Sequence, residues 1–197
     1  AAAIPGVIEL APAYNTIGVF YDPTQAGSAP DESPFVVLAT KIQSILNAAA
    51  FETESEDGPR EIEVPVCYDF EFAADLADVA VQAGLTQEEV VRRHSTASYR
   101  VSCVGFTPGF PYLSGLPSAL STPRRARPRT EIPAGSVAIG GTQTGIYPSK
   151  SPGGWNIIGR TPLRLFDVRR ESPALFQAGD QVRFRRISRV EFDSYRE

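Results

Sequence analysis

Methionine is absent from this chain of 197 residues, and histidine and tryptophan occur only once each. Cysteine occurs twice, as Cys67 and Cys103, which lie far apart in the sequence. We expect both thiols to be reduced and buried, because two cysteines do not make a disulfide framework. A zinc site needs more cysteine and histidine ligands than this chain offers, so we predict no bound metal.

Long apolar runs are missing as well. No stretch approaches the roughly 20 apolar residues that cross a bilayer, and no secretory signal pattern is present. We therefore expect a cytoplasmic protein that does not act at a membrane.

A nucleotide-binding loop is a further missing feature. Residues 140–145 read GGTQTG, but Ile146 and Tyr147 stand where a phosphate-binding loop has lysine followed by serine or threonine. The G-x-S-x-G pattern of a serine nucleophile is also absent. We expect this chain to bind no cofactor by itself.

Charge is divided unevenly along the chain. Residues 1–93 carry 16 acidic and 4 basic side chains, whereas residues 94–197 carry 7 acidic and 15 basic ones. A basic half can attract nucleic acid, an anionic ligand or an acidic partner. No nucleic-acid recognition motif accompanies the arginines, so we expect no nucleic acid and favour attraction to a partner subunit.

The first part of the chain predicts a small α+β unit. Residues 4–10 and 16–20 are typical of strands, and Ser33-Pro34 is typical of the start of a helix. The acidic stretch 52–60, which contains Gly and Pro, predicts a linker. We therefore predict two domains, residues 1–58 and 59–197.

The second part predicts many short strands and two helices. Residues 75–83, followed by Gly84, and residues 87–94, preceded by a capping-box pattern, indicate helices. The predicted strands are residues 62–66, 99–104, 137–139, 144–146, 156–158, 163–166 and 181–185. Short strands separated by Gly/Pro turns are typical of a barrel or a sandwich.

Residues 105–167 are dense in Gly, Pro and aromatic side chains without being repetitive. Within them stand the segments GFTPGFPYLSGLP, TPRRARPR, IPAGSVAIGGTQTGIYP and SPGGWNIIGRTPLRLFD. These segments resemble the signature blocks of the 5-oxoprolinase B-subunit family, which also includes Kip-type kinase inhibitors and allophanate hydrolase subunit 1-like proteins. The resemblance implies a cyclophilin-like β-barrel preceded by a ferredoxin-like α+β domain. The opening AAAIPGVIEL is similar to the interior of that domain, so we expect the domain to be truncated here.

The resemblance implies the B subunit of an ATP-dependent 5-oxoprolinase, which opens the lactam of 5-oxo-L-proline to L-glutamate. The A and C subunits are the implied partners, with the barrel of the C subunit docking directly and ATP used by the assembled complex. We expect the chain to be inactive alone. A Kip-type inhibitor of a sensor histidine kinase and a carboxyltransferase or allophanate hydrolase-type subunit are the alternatives. Prolyl isomerase activity is suggested only by fold analogy, which does not transfer function.

His94 and Gln143 are candidate catalytic residues. His94 is the only side chain that titrates near neutrality unperturbed, and its place near a helix C-terminus favours the protonated form. The resemblance implies a pocket histidine at this position, the alternative being one that packs or caps a helix end. The amide of Gln143 both donates and accepts, so it could bind the N–H and C=O of a lactam together.

Arg124 and Arg129 are the candidate anion-binding residues. They belong to a segment of four arginines interleaved with prolines, which favours an extended and stiff presentation of the guanidinium groups. Arginine binds carboxylate or phosphate through two hydrogen bonds. We predict Arg124 as catalytic and Arg129 as substrate-binding; a solvated arginine-rich loop is the alternative.

Aromatic side chains are the remaining candidates for substrate binding. Apolar walls with a few polar groups are typical of small-ligand pockets, and adjacent glycines let the backbone approach a ligand. A role in the core or an interface is the alternative. The predicted substrate-binding aromatics are Phe110, Tyr112, Tyr147 and Trp155.

Overall fold

The computed structural model describes residues 4–14, 16–27, 32–49 and 58–195. The chain divides into two compact units, Ala1–Gly58 and Pro59–Glu197, which are described separately. Most of the linker predicted at residues 52–60 lies outside the described residues.

The first unit contains a β-hairpin and one helix. Strands β1 (Val7–Pro12) and β2 (Ile17–Tyr21) pair antiparallel, and helix α1 spans Pro34–Ala49. The N–H of Val36 donates to Ser33 Oγ over 3.4 Å, as expected for a serine at the N-cap. The two predicted strands and the helix start are confirmed, although β1 begins three residues later than predicted.

The second unit is built on a curled seven-stranded sheet. Its strand order is β10-β7-β8-β5-β4-β11-β3, and β6 and β9 form a separate two-stranded ribbon. These strands are β3 (Glu61–Val66), β4 (Ser98–Val104), β5 (Pro111–Ser114), β6 (Arg129–Ile132), β7 (Ser136–Gly140), β8 (Gln143–Ile146), β9 (Ser151–Gly153), β10 (Asn156–Arg160) and β11 (Gln181–Arg186).

The two edges of this sheet meet next to β3. Cys67, directly after β3, exchanges backbone hydrogen bonds of 2.8 and 2.9 Å with Arg160 at the end of β10. Because this bridge joins the first and last strands of the order, the sheet curls into a barrel. The predicted mainly β fold with α+β elements is confirmed.

Three α-helices and a short 3-10 helix (Ser118–Leu120) accompany the barrel in the described residues. Helix α2 (Leu76–Ala83) ends at Gly84, whose φ of 63° is the left-handed cap predicted for it. Helix α3 (Gln87–Thr96) begins as predicted, with the Glu89 N–H donating to Thr86 Oγ1 over 3.2 Å. Helix α4 (Arg189–Ser194) was not predicted. None of the helices in the described part of the chain is both long and apolar enough to cross a membrane.

Two hydrophobic clusters fill the second unit, one on each face of the sheet. Consecutive residues of β7 divide between them, because Ile139 belongs to the larger cluster and Ala138 to the smaller. The larger cluster is packed by α2 and α3. The smaller one consists of Phe110, Ile132, Ala138, Tyr147, Trp155 and Ile157.

The strand predicted at residues 163–166 is wrong. Only Phe166 forms an isolated bridge, with Ala174, and Leu165 and Asp167 exchange single backbone bonds with the same irregular loop. The alternation of apolar and polar residues in this segment arises because Leu165 is buried (1% exposed). The segment itself does not pair with a strand among the described residues. Strands β5, β6 and β9 were missed because the Pro and Gly in and around them are typical of turns.

Candidate functional site

A groove of about 210 Å³ opens on the second unit beside the smaller hydrophobic cluster. Strand β5, the loop before β6 and the ends of β8 and β9 supply its walls. Its lining residues are Phe106, Phe110, Tyr112, Arg124, Arg125, Pro128, Tyr147, Gly153, Gly154 and Trp155.

The aromatic walls of the groove hold one another in place. The Phe110 ring packs edge-to-face against Tyr147 (centroids 5.2 Å apart) and Trp155 (5.6 Å). Trp155 also meets Tyr112 edge-to-face at 5.9 Å. Such contacts restrict ring rotation, so these walls are preformed for a flat ligand.

A glycine makes room for the indole. A Cβ on Gly140 would lie 2.5 Å from the Trp155 ring, closer than a side chain can approach. Trp155 therefore lies flat on the backbone of β7, and this site excludes any larger residue at position 140.

Two arginines line the groove. The guanidinium carbon of Arg124 stands 5.8 Å from the centroid of the Trp155 ring, and Arg124 has no ion pair among the described residues. The Arg125 backbone N–H donates to the Gly154 carbonyl over 2.7 Å, and its Nη1 donates to Asp75 Oδ1 over 2.6 Å. Its Nε is shielded from solvent and has no hydrogen-bond partner in the described part of the chain.

Asp75 is the buried acid of this site. It is 1% exposed, stands at the N-cap of α2 and makes no capping bond to that helix. Its carboxylate accepts from Arg125, from Arg129 over 2.7 and 2.8 Å and from the backbone N–H of Ile157 over 2.7 Å. The hydrogen bond to Asp75 raises the pKa of Arg129 above its usual value.

Arg129 is therefore held beside the groove and does not line it. Two guanidinium groups share one carboxylate, and Arg124 adds a third positive charge. No acidic side chain is among the lining residues. The groove consequently suits an anionic ligand.

The two tyrosines of the groove are neutral donors. Burial raises the pKa of both Tyr112 and Tyr147, so their hydroxyl groups keep their protons at neutral pH. Each can therefore donate one hydrogen bond to a ligand oxygen.

Gln143 lies near the groove without being one of its lining residues. It pairs with Gly140 and shares a sheet face with Gly145, where a Cβ would lie 3.0 Å from the Phe110 ring. The groove lies on this same face of the sheet. The Gln143 Nε2 is shielded and has no hydrogen-bond partner among the described residues.

His94 lies on the opposite side of β8, in the larger core. Its Nδ1 is 2.9 Å from the Tyr68 hydroxyl, and its Nε2 is 3.1 Å from Thr144 Oγ1. Because Thr144 Oγ1 donates to the Ala138 carbonyl, it accepts from Nε2–H, which leaves Nδ1 to accept from Tyr68. Thr144 and Gln143 are consecutive in a strand, so they face opposite ways.

The protonation expected for His94 is wrong in direction. Burial lowers its pKa to about 3, because desolvation outweighs any effect of the helix end. The imidazole is neutral at physiological pH and fully buried. The geometry does not bring it to the groove, and its catalytic role stays a prediction.

Five of the predicted site residues are thus brought together: Phe110, Tyr112, Arg124, Tyr147 and Trp155. Asp75, Arg125 and Phe106 also belong to this site and were not predicted from the sequence. Asp75 was assigned to the start of a helix, where an acid is ordinary, and only the fold shows that its carboxylate points away from that helix. Phe106 has a φ of 69°, a left-handed conformation rare for a residue with a side chain.

The size and chemistry of the groove limit its ligand. Aromatic walls and arginine side chains around a groove of about 210 Å³ suit a small ring acid. Among the described residues no group of three or more His, Cys, Asp or Glu could hold a metal ion.

Comparison with known families places this fold. The model of the family "Carboxyltransferase domain, subdomain C and D" matches residues 1–176. The chain belongs to this family. The family resemblance inferred from the signature segments is also confirmed, because curated relatives named as the B subunit of 5-oxoprolinase cover most of the chain.

Two of these relatives come from bacteria. The protein from Bacillus subtilis (strain 168) is 42% identical over 196 residues, which is 98% of this chain and 81% of that protein. The protein from Escherichia coli O157:H7 is 45% identical over 181 residues, which is 92% of this chain and 78% of that protein.

Solved structures share the fold. The protein TTHA0988 superposes with a TM-score of 0.72 at 38% identity, and the alignment covers 95% of this chain but only 34% of that one. This chain therefore spans about a third of that larger protein. The Kluyveromyces lactis urea carboxylase has a TM-score of 0.62 at 18% identity, over 95% of this chain and 18% of that chain, which shows a common fold only.

Proposed function

We propose that this chain is the B subunit of a multi-subunit, ATP-dependent 5-oxoprolinase that converts 5-oxo-L-proline to L-glutamate. The observation that carries the proposal is the arginine-edged aromatic groove in a chain 42% identical to a 5-oxoprolinase B subunit. The groove offers what a flat lactam with one carboxylate needs: rigid ring walls, guanidinium groups and neutral hydroxyl donors.

In this proposal the carboxylate of 5-oxo-L-proline pairs with Arg124, and its ring packs on Trp155 and Tyr112. Tyr147 donates to a ligand oxygen. Gln143, on the same face of the sheet and with its Nε2 unpaired, binds the lactam amide after a rotation of its side chain. A lactam that is bound in a fixed orientation reacts faster, because the entropy cost of bringing it together with the other reactants has already been met on binding.

ATP activates an amide that is otherwise a poor electrophile. The γ-phosphoryl group would be transferred to the lactam oxygen, and attack of one water at the carbonyl carbon with cleavage of the C–N bond would leave γ-glutamyl phosphate. A second water would hydrolyse this acyl phosphate, so that one ATP and two waters give L-glutamate, ADP and phosphate. We assign the nucleotide to a partner subunit, because residues 140–147 depart from a phosphate-binding loop.

The partners in this proposal are the A and C subunits, with the barrel of the C subunit docking on this barrel. We expect the complex to work in the cytoplasm, where ATP is present. The acidic first half and basic second half of the chain support attraction to charged partner surfaces.

Glutamate release from 5-oxo-L-proline and ATP tests the proposal. The assay mixes this chain with candidate A and C subunits, and its control omits this chain alone. Turnover only in the complete mixture supports the proposal. A silent mixture whose subunits co-elute in size-exclusion chromatography contradicts it and favours a carboxyltransferase, as the family description indicates.

Within that assay, Arg124→Gln removes the guanidinium that stacks on Trp155. We expect KM for 5-oxo-L-proline to rise about 10- to 100-fold, because a hydrogen bond to a charged group is worth about 1.5–3 kcal/mol. The matched control is Arg127→Gln, which changes an exposed arginine of the same loop that does not line the groove. Equal KM values for the two variants would remove Arg124 from the site.

A further inference from the structure

We infer that Asp75 is a positioning residue that holds Arg125 against the groove, where Arg125 binds the carboxylate of the ligand together with Arg124. Neither Asp75 nor Arg125 was expected from the sequence. The inference rests on the proposed function only for the identity of the ligand; the selection of an anionic carboxylate follows from the residues themselves.

Asp75 has no capacity left to bind a ligand itself. Its Oδ1 accepts from Arg125 Nη1 (2.6 Å) and Arg129 Nη2 (2.8 Å), and its Oδ2 accepts from Arg129 Nη1 and the Ile157 N–H (2.7 Å each). Each carboxylate oxygen therefore has two donors, which occupies its lone pairs. The role of Asp75 is to orient the two arginines.

Arg125 is anchored on both sides of its Nε. The backbone N–H is bound by the Gly154 carbonyl and the Nη1 by Asp75, so the side chain is held at both ends. The Nε, between these anchors, is shielded and unpaired in the described part of the chain. A ligand oxygen does not reach this shielded atom, but the Arg125 side chain is 33% exposed and lines the groove, so we expect a ligand carboxylate to bind the exposed part of its guanidinium group.

The charges of the cluster select an anion. The guanidinium groups of Arg125 and Arg129 share the Asp75 carboxylate, Arg124 adds a third positive charge at the groove, and no acidic residue lines the groove. A carboxylate ligand would balance part of this excess. A neutral ligand of the same shape would leave this excess of positive charge unbalanced and would bind more weakly.

A second buried aspartate of this chain, Asp180, pairs with an arginine, Arg60, and neither residue lines the groove. Asp180 is 5% exposed and accepts from Arg60 over 2.6 and 3.1 Å and from the Gln177 N–H over 2.7 Å. It resembles Asp75 in burial and in its bonds to arginine and backbone. Asp180→Asn is therefore a matched control for the loss of a buried Asp–Arg pair.

Trp155 supplies the readout, because it is the only tryptophan in the chain and it lines the groove. Its fluorescence is titrated in the full chain with a panel of small carboxylates that includes 5-oxo-L-proline and L-lactate. The neutral probe is 5-oxo-L-prolinamide, which keeps the lactam and replaces the carboxylate by an amide. The measured quantity is the ratio of the Kd for the amide to the Kd for the acid.

We expect wild-type chain and Asp180→Asn to bind 5-oxo-L-proline at least about tenfold more tightly than the amide. Asp75→Asn should bring the two Kd values to within about threefold of each other, because the guanidinium of Arg125 is no longer held. If Asp75→Asn keeps the wild-type ratio, or if the wild-type chain shows no preference for a carboxylate or no saturable response to any of the panel, the inference is overturned.

The proposed 5-oxoprolinase function and the role inferred for Asp75 can be told apart if Trp155 fluorescence responds to another carboxylate of the panel but not to 5-oxo-L-proline. The inference then stands if Asp75→Asn loses that response and Asp180→Asn keeps it, while the proposed substrate is wrong. If circular dichroism shows that Asp75→Asn does not fold, Arg125→Lys replaces it. This variant keeps the positive charge and removes the planar fork, so an unchanged ratio in it overturns the inference.

Discussion

The imidazole of His94 contributes to stability only while it is neutral. Its pKa is lowered to about 3 in the folded chain, against about 6.5 in an unfolded one. Between these values the unfolded state binds more protons. This contribution is therefore complete above about pH 6.5 and is lost progressively as the pH falls toward 3.

We expect the wild-type chain to lose about 2 kcal/mol more of its unfolding free energy between pH 7 and pH 5 than His94→Gln loses. Urea denaturation at the two pH values measures this difference. The carboxyl groups titrate in both proteins, so their effect cancels in the comparison. Equal pH dependence in the two proteins would show that the imidazole is not buried neutral.

At the scale of elements, the connection between β4 and β5 forms one rim of the groove. It is closed by backbone bonds between Gly105 and Phe110 and between Phe110 and Thr107. Within it Phe106 adopts a left-handed φ of 69°, and the residue is 64% exposed beside the groove. Backbone strain of this kind is concentrated at functional sites.

Phe106→Gly and Phe106→Ala form a matched pair for this connection. Both remove the ring, but only glycine adopts the left-handed conformation without cost. We expect the glycine variant to be more stable to urea than the alanine variant by about 1 kcal/mol, since left-handed backbone costs about 1–2 kcal/mol at a residue with a side chain. An alanine variant as stable as the glycine variant would exclude strain at this position.

The whole molecule is proposed to supply a substrate groove but not the nucleotide site. We expect the chain alone to release neither glutamate nor ADP when it is given 5-oxo-L-proline and ATP. The reason is that Ile146 and Tyr147 stand where a phosphate-binding loop has lysine followed by serine or threonine. Coupled assays for the two products, with the chain alone and in the complete mixture, measure this. Glutamate formed by the chain alone would contradict the division of labour.

Helix ends were the local features that the sequence predicted best. Gly84 and Thr86 mark the end of α2 and the start of α3, because each acts through its own backbone or a neighbour within three residues. The reciprocal half of the predicted capping box at α3 is replaced, since the Glu89 carboxylate binds Arg92 and Arg93 instead. A local sequence pattern therefore predicts which residue caps a helix, but it does not predict every hydrogen-bond partner of the side chains in the first turn.

Pairing between distant segments was the part that the sequence could not predict. Strand β5 opens with Pro111 and was not recognised, because it becomes a strand only through pairing with β4 and β8. The aromatics of the groove were predicted from composition, whereas the choice between core and groove was not. Phe110 in fact serves both, being 2% exposed and a lining residue.

The sequence by itself determined the family and the fold class, since long motifs of Gly, Pro, aromatic and arginine residues carry that information locally. The tertiary structure alone decided which charges meet. Asp75 lies 50 residues from Arg125 and 54 from Arg129, and His94 lies 50 from Thr144. Burial and hydrogen bonding at such separations depend on the curled sheet, and they determine that His94 is a neutral core residue and that Asp75 binds both Arg125 and Arg129.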